Sequence, residues 1–129
     1  AYQRAVELSP DTAPMWARLG KALLAVDAPS EAIEAYSRAL TLVPQDAGMH
    51  LALGRALDQA GKGDEAFRQY EEALRRDPRL SAAYIGRAKY YLRRQENGRA
   101  LEELERGASR NPGDISLLRF LDQVMDESI

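Results

Sequence analysis

The chain has 129 residues and a net charge of −2, and its hydrophobic fraction of 45% suffices for the core of one domain. With no cysteine, disulfides and thiol chemistry are excluded, and no apolar run nears the ~20 residues that span a bilayer. The balance of charge lacks the basic excess of the usual nucleic-acid footprint. No secretory leader or lipidation motif is visible, and neither a cytoplasmic nor a periplasmic setting is excluded.

The first predicted element is already under way at residue 1. Tyr2, Ala5, Val6 and Leu8 form the inner face of a second helix whose partner is absent, and with no initiator methionine the chain reads as a section of a longer protein. In the next helix Trp16, Leu19, Leu23 and Val26 lie three or four residues apart, so they share one face, with Gly20 on the same side. Pro29 and Ser30 interrupt it: proline lacks the amide a helix interior needs, and serine can cap the helix that follows. That helix runs from Glu31 to about Leu42 with Ala32, Ile33, Tyr36, Ala39 and Leu40 inward, and Pro44 stops it.

The pair then returns at a fixed spacing. Pro10, Pro44, Pro78 and Pro112 are separated by one constant interval. The same interval separates Gly20, Gly54 and Ala88; Ala32, Ala66 and Ala100; Tyr36, Tyr70 and Leu104; Ala5, Ala39, Ala73 and Gly107; and Leu23, Leu57, Tyr91 and Met125. One physical cause covers these columns: small residues where helices touch, large apolar ones between them, and proline where the chain leaves a helix. Thr12, Asp46 and Asp114 are predicted to cap first helices and Asp64 a second one. Ala60-Gly61-Lys62-Gly63 is the clearest turn.

Trp16, Leu19, Gly20, Leu23, Ala32, Tyr36, Ala39 and Pro44 resemble the tetratricopeptide repeat signature, whose period of about 34 residues equals the interval between the prolines. The resemblance divides the chain into a half repeat (1–12), three full repeats (13–46, 47–80 and 81–114) and a capping helix (115–129). It implies an all-α, right-handed solenoid of helix hairpins whose first helices line a concave groove holding a protein or peptide. The expected role is therefore a noncatalytic interaction scaffold. Fifteen arginines against three lysines, with many alanines, hint at a GC-rich bacterial genome. In bacteria such arrays resemble scaffolds of secretion, envelope assembly and exopolysaccharide export.

Departures from the signature carry their own expectations. Arg87 stands where Leu19 and Leu53 stand, a variant the family uses. Asp122 takes the tight-contact column of Gly20, Gly54 and Ala88, so Ile115 to Ser128 reads as a terminal cap against which no second helix packs. Pro29, Gly63 and Asn97 replace an aromatic that many members carry at the bend, which predicts looser bends.

Catalysis needs a nucleophile, base or metal set in mutual reach, and the inventory is poor. His50, the single histidine, sits in the aromatic packing column of Trp16 and Tyr84 and reads as a packed or hydrogen-bonded residue. The carboxylate groups Glu71-Glu72, Glu102-Glu103-Glu105 and Asp126-Glu127 read as solvated helix faces. No phosphate-cradling glycine loop is present. No catalytic residue, cofactor or metal is expected.

The groove remains. Lys21, Arg55 and Lys89 recur at the ninth position of each repeat, with Gln123 continuing the row. By helical geometry they lie beside an apolar strip of Leu24, Leu51, Ile85 and Leu92. These seven residues are the candidate partner-binding surface, where cations meet carboxylates or backbone carbonyls and the strip contributes desolvation. An ordinary solvated helix face explains the same charges equally well. Tyr36 and Tyr70 are expected in the core and Tyr90 at an exposed contact, while Arg75, Arg76, Arg79, Arg93 and Arg94 read as solvated.

Family members that hold the acidic carboxyl tails of chaperones use a clamp of lysines, asparagines and an arginine. The matching positions here are Ala17, Lys21, Ala52, Ala82 and Gly86 or, one repeat later, Leu51, Arg55, Gly86, Ser116 and Phe120. Only a cation survives in either set, so no chaperone-tail clamp is expected. Two other functions fit less of the sequence. One is a regulatory or substrate-positioning region of an enzyme whose catalytic domain lies outside these residues. The other is helical-repeat RNA binding, which needs stacked aromatics and a strongly basic groove. Self-association is expected through Tyr2, Val6 and Leu8 at one end and Leu118, Leu121 and Met125 at the other.

Overall fold

A computed structural model describes residues 12–127. Among them are seven helices and no strand: α1 Ala13–Ala25, α2 Pro29–Leu42, α3 Ala47–Gln59, α4 Gly63–Arg76, α5 Ser81–Arg93, α6 Asn97–Arg110 and α7 Ile115–Glu127. First helices have 13 residues and second helices 14, so the three hairpins keep one register without insertions. No described helix is long and apolar enough to cross a membrane. The half repeat and the face of Tyr2, Ala5, Val6 and Leu8 fall outside the described residues except for Thr12.

Each helix end has a local cause, and the causes recur with the repeat. Val43, Asp77 and Asn111, one residue before the prolines, adopt φ −134, −140 and −134, because a following proline disfavours the helical region. Within each hairpin the bend closes by two backbone bonds. Ala28 N–H donates to the Leu23 carbonyl (2.8 Å) and Asp27 to Leu24 (3.1 Å), and the same pairs join Lys62 to Leu57, Gly61 to Asp58, Glu96 to Tyr91 and Gln95 to Leu92. This is the Schellman closure, and it places Asp27, Gly61 and Gln95 at φ 58, 80 and 61. The bends are not the looser ones expected from the missing aromatics, since backbone bonds close all three.

Several sequence expectations move by a few residues. Asp46 and Asp114 cap α3 and α7 as expected, accepting from Met49 N (3.1 Å) and Leu117 N (3.0 Å). Thr12 occupies the N-cap of α1 in a helical conformation (φ −87, ψ −2) and makes no side-chain cap bond. Ser30 and Asp64 lie inside the first turns of α2 and α4, which start at Pro29 and Gly63; at α2 this follows because proline is tolerated at the first helical position. Val26 is not on the buried stripe. It is 72% exposed, because α1 ends at Ala25 and the chain turns away.

The core is a seam that runs from hairpin to hairpin. Ala32, Ala39, Ala66, Ala73, Ala88 and Ala100 are fully buried, as small residues at helix contacts should be, and Tyr36, Tyr70, Tyr84 and Leu104 fill the space between. Tyr70 shows why the contact column is small. A Cβ added at Gly54 of its own hairpin, or at Gly86 of the next, would come within 2.7 Å of its ring. The ring is therefore clasped between two hairpins. Such nearest-neighbour burial is how a solenoid derives its stability.

Candidate functional site

Two clefts open between successive first helices. The larger, of about 420 Å³, is walled by Arg55, Asp58 and Gln59 of α3, by Ala82, Ile85, Gly86, Lys89 and Arg93 of α5, and floored by Tyr70 of α4. The second, of about 310 Å³, lies between α5 (Lys89, Leu92, Arg93) and α7 (Phe120, Gln123, Val124). Lys89 and Arg93 belong to both, so the two clefts adjoin across α5 and make one channel-like face along α3, α5 and α7. First helices of equal length, returning at a constant interval, put Arg55, Lys89 and Gln123 in one row along it.

Asp58 sets the electrostatics of the larger cleft. The Tyr70 hydroxyl donates to its Oδ2 at 2.6 Å and Arg93 Nη2 to its Oδ1 at 2.9 Å. Burial, followed by that hydrogen bond and the Asp58 charge, pushes the Tyr70 phenol well above its ordinary 10.0, with Arg55 and Arg93 opposing. Burial likewise raises Tyr36, against the pull of Arg55. Asp58 is the one acid among the described residues lining either cleft, and Arg93 offsets it. Arg55 and Lys89 are exposed and make no ion pair among the described residues. The cleft thus carries a net positive charge held by two cations free to meet an anion. Lys89 Nζ also lies 5.8 Å from the centroid of the Phe120 ring.

Of the seven candidate residues, Arg55, Ile85 and Lys89 come together in the larger cleft and Leu92 joins Lys89 in the second. Lys21 is exposed and Leu24 half-buried on α1, and neither lines these clefts. Leu51 is a correction: it is buried to 9% exposure within the core, because α3 is packed between α2 of the preceding hairpin and α4 of its own. Asp58, Tyr70, Arg93 and Phe120 complete the clefts and were not among the expected site residues. A signal for one contact was present in the repeats: within the three full repeats Asp58 is the one acid in the column of Leu24 and Leu92, and Arg93 the one cation in the adjoining column of Ala25 and Gln59.

Other expected surface charges turn out to be structural. Arg93 and Arg94 both reach back to the preceding hairpin, Arg94 donating to Asp64 at 3.1 Å and to the Tyr90 hydroxyl. Tyr90 is half-buried and donates to Asp64 at 2.6 Å, while its ring lies 4.5 Å from that of Phe67. That hydrogen bond and the Arg94 charge hold the Asp64 carboxyl below its ordinary range. Glu103 is no solvated face. It is 5% exposed, with Arg87 Nη2 at 3.2 Å and Arg106 Nη1 at 3.5 Å from its Oε1. Arg87 in turn stacks on Phe67, 4.7 Å from the ring centroid, which accounts for a cation in a leucine column.

His50 is held at both nitrogens. Nε2 donates to the Pro44 carbonyl at 3.0 Å and Nδ1 meets the Gln69 amide at 2.8 Å. Tyr84, one repeat on, makes the equivalent bond to the Pro78 carbonyl at 2.8 Å. On α7, Ile115, Leu118 and Met125 are exposed, whereas Leu121 is half-buried against the core and drops out of the expected self-association stripe.

Helix hairpins in constant register, each burying its face on the next, define a helical-repeat solenoid of the kind that carries interaction surfaces. Tetratricopeptide repeat models match residues 13–56 and 51–115, and the chain belongs to that family. No curated protein matches the sequence. Among solved structures, the first TPR of Spaghetti (RPAP3) bound to the HSP90 peptide SRMEEVD is similar at TM-score 0.81 and 17% identity, over 93% of this chain and 98% of that one. MamA is similar at TM-score 0.82 and 22% identity, over 99% and 75%. The Sgt2 TPR domain from Aspergillus fumigatus is similar at 0.80 and 22%, over 95% and 82%. At these identities the likeness is one of fold.

Proposed function

We propose that this chain is a noncatalytic scaffold that binds a peptide or protein partner along the channel of α3, α5 and α7. The observation that carries the reading is the larger cleft, where Arg55 and Lys89 stand beside Ile85 without ion-pair partners among the described residues. Such a surface offers charge to an anionic segment and apolar area to whatever flanks it. The RPAP3 neighbour, described as bound to an HSP90 peptide, supports the use of this fold for peptide capture. The partner differs from a chaperone tail. Ala82 and Gly86 line the cleft at positions where the clamp of such domains sets long polar side chains.

Affinity capture from a lysate of the source organism, with wild type beside the Arg55→Glu/Lys89→Glu variant, tests this. Proteins recovered by the first and lost by the second support it, and identical sets refute it. Lys21→Glu serves as the control, because Lys21 lines neither cleft. Self-association is proposed on α7 through Ile115, Leu118 and Met125, and the other expected face, Tyr2, Val6 and Leu8, lies outside the described residues; light scattering that finds only monomer at high concentration removes it.

A further inference from the structure

The two clefts differ in chemistry, and the difference specifies a ligand more closely than groove binding does. In the larger cleft the Asp58 carboxylate is engaged on both oxygens, which leaves Arg55 and Lys89 as the groups with charge to offer. The second cleft has apolar walls, Leu92, Phe120 and Val124, with Lys89 and Arg93 at its edge. From these contrasts we infer that the channel reads a bipartite segment of a partner polypeptide: an acidic side chain seated between Arg55 and Lys89, and a large apolar side chain in the cleft between α5 and α7. Lys89 links the halves, since it lines both clefts and lies over the Phe120 ring.

Geometry sets the spacing. Packed helices lie about 8–10 Å apart, and an extended chain advances about 3.3 Å per residue. The acidic and apolar residues are therefore two to four positions apart. A free carboxyl terminus is not required, because a side-chain carboxylate satisfies the two cations.

The inference rests on the scaffold reading, and its test separates the two. The purified 129-residue chain is used to select from a displayed library of random dodecapeptides. Selected peptides are then measured by fluorescence anisotropy against wild type, Arg55→Glu/Lys89→Glu, and Gln123→Trp, which fills the second cleft from an exposed position. The expected result is Asp or Glu two to four residues from Leu, Met, Phe or Trp, with affinity falling at least tenfold in both variants while far-UV circular dichroism is unchanged. Peptides that depend on Arg55 and Lys89 but carry no spaced apolar residue and ignore Gln123→Trp overturn the bipartite inference alone. Selection of no channel-dependent peptide overturns both readings. Displacement of the peptides by equimolar oligouridylate overturns the assignment to a polypeptide.

Discussion

Replacing Arg87 by leucine, the residue its column carries at Leu19 and Leu53, should damage the fold although it restores the repeat pattern. The change strips Glu103 of its close partner where Glu103 is 6% exposed by side chain and Arg87 14%. At 3.2 Å the pair attracts by ~5 kcal/mol at an effective dielectric of 20. Desolvation costs several kcal/mol per ion, so the pair as a whole contributes little. Arg87 Nε and Glu103 Oε2 are also buried with no hydrogen-bond partner among the described residues, which lowers the net further. Removing one member of a buried pair typically costs about 3–5 kcal/mol. Arg106, 3.5 Å from Glu103 and 59% exposed, remains to soften the loss. We therefore expect Arg87→Leu to cost about 2–4 kcal/mol and Glu103→Leu, which leaves Arg87 on Phe67, about 2–3 kcal/mol. The double variant should lie within about 1 kcal/mol of wild type. Urea titrations followed by far-UV circular dichroism, read as a double-mutant cycle at constant m-value, give the coupling. If the two single losses simply add, Arg87 and Glu103 do not act as a coupled buried pair.

Four further outcomes follow. Gly86→Ala should lose up to about 2 kcal/mol, because a Cβ at 2.7 Å from the Tyr70 ring puts overpacking (~1–3 kcal/mol) above the ~1 kcal/mol gained in helix propensity; a thermal melt at or above wild type would contradict the clasp. Gln95→Gly should gain about 0.5–1 kcal/mol by relieving φ 61 at the α5–α6 bend, with Gly61→Ala as the opposite-sign control in the same melts. Below pH 10.0 the Tyr70 phenol is neutral whether folded or unfolded. Above it the unfolded chain ionises first, so stability falls as pH rises toward the raised folded value. Tyr70→Phe should cost about 1 kcal/mol at neutral pH and flatten part of that alkaline decline, and an unchanged slope above pH 10 argues against the assignment. The Asp114 carboxyl is held below its ordinary range by the Ser81 hydroxyl and then the Leu117 amide. Its contribution is complete above pH 3.8 and lost as pH falls through the lowered value, so Asp114→Ala should fray α7 at neutral pH, read as lost ellipticity.

The sequence alone determined the class of fold, because a hairpin's own requirements are local. Helical periodicity, proline at the exit and small residues at contacts are written within a single repeat and then written again in the next. The cationic row of Arg55 and Lys89 was legible for the same reason, since identical columns on stacked helices must align. Decisions made between hairpins were not legible. Whether Leu51 faced solvent or core, which partner held Arg93, and why Arg87 was tolerated each depended on side chains distant in the chain or on the neighbouring helix axis. Such residues break the repeat pattern singly, and a lone departure reads as surface noise until packing brings its complement within reach. Glu103 shows this most clearly: exposed by composition, it is buried because Arg87, itself stacked on Phe67 of the preceding hairpin, meets it there. Periodicity reports what every hairpin shares, whereas the charge and shape of the channel come from what neighbouring hairpins do not share, and only tertiary packing brings those differences together.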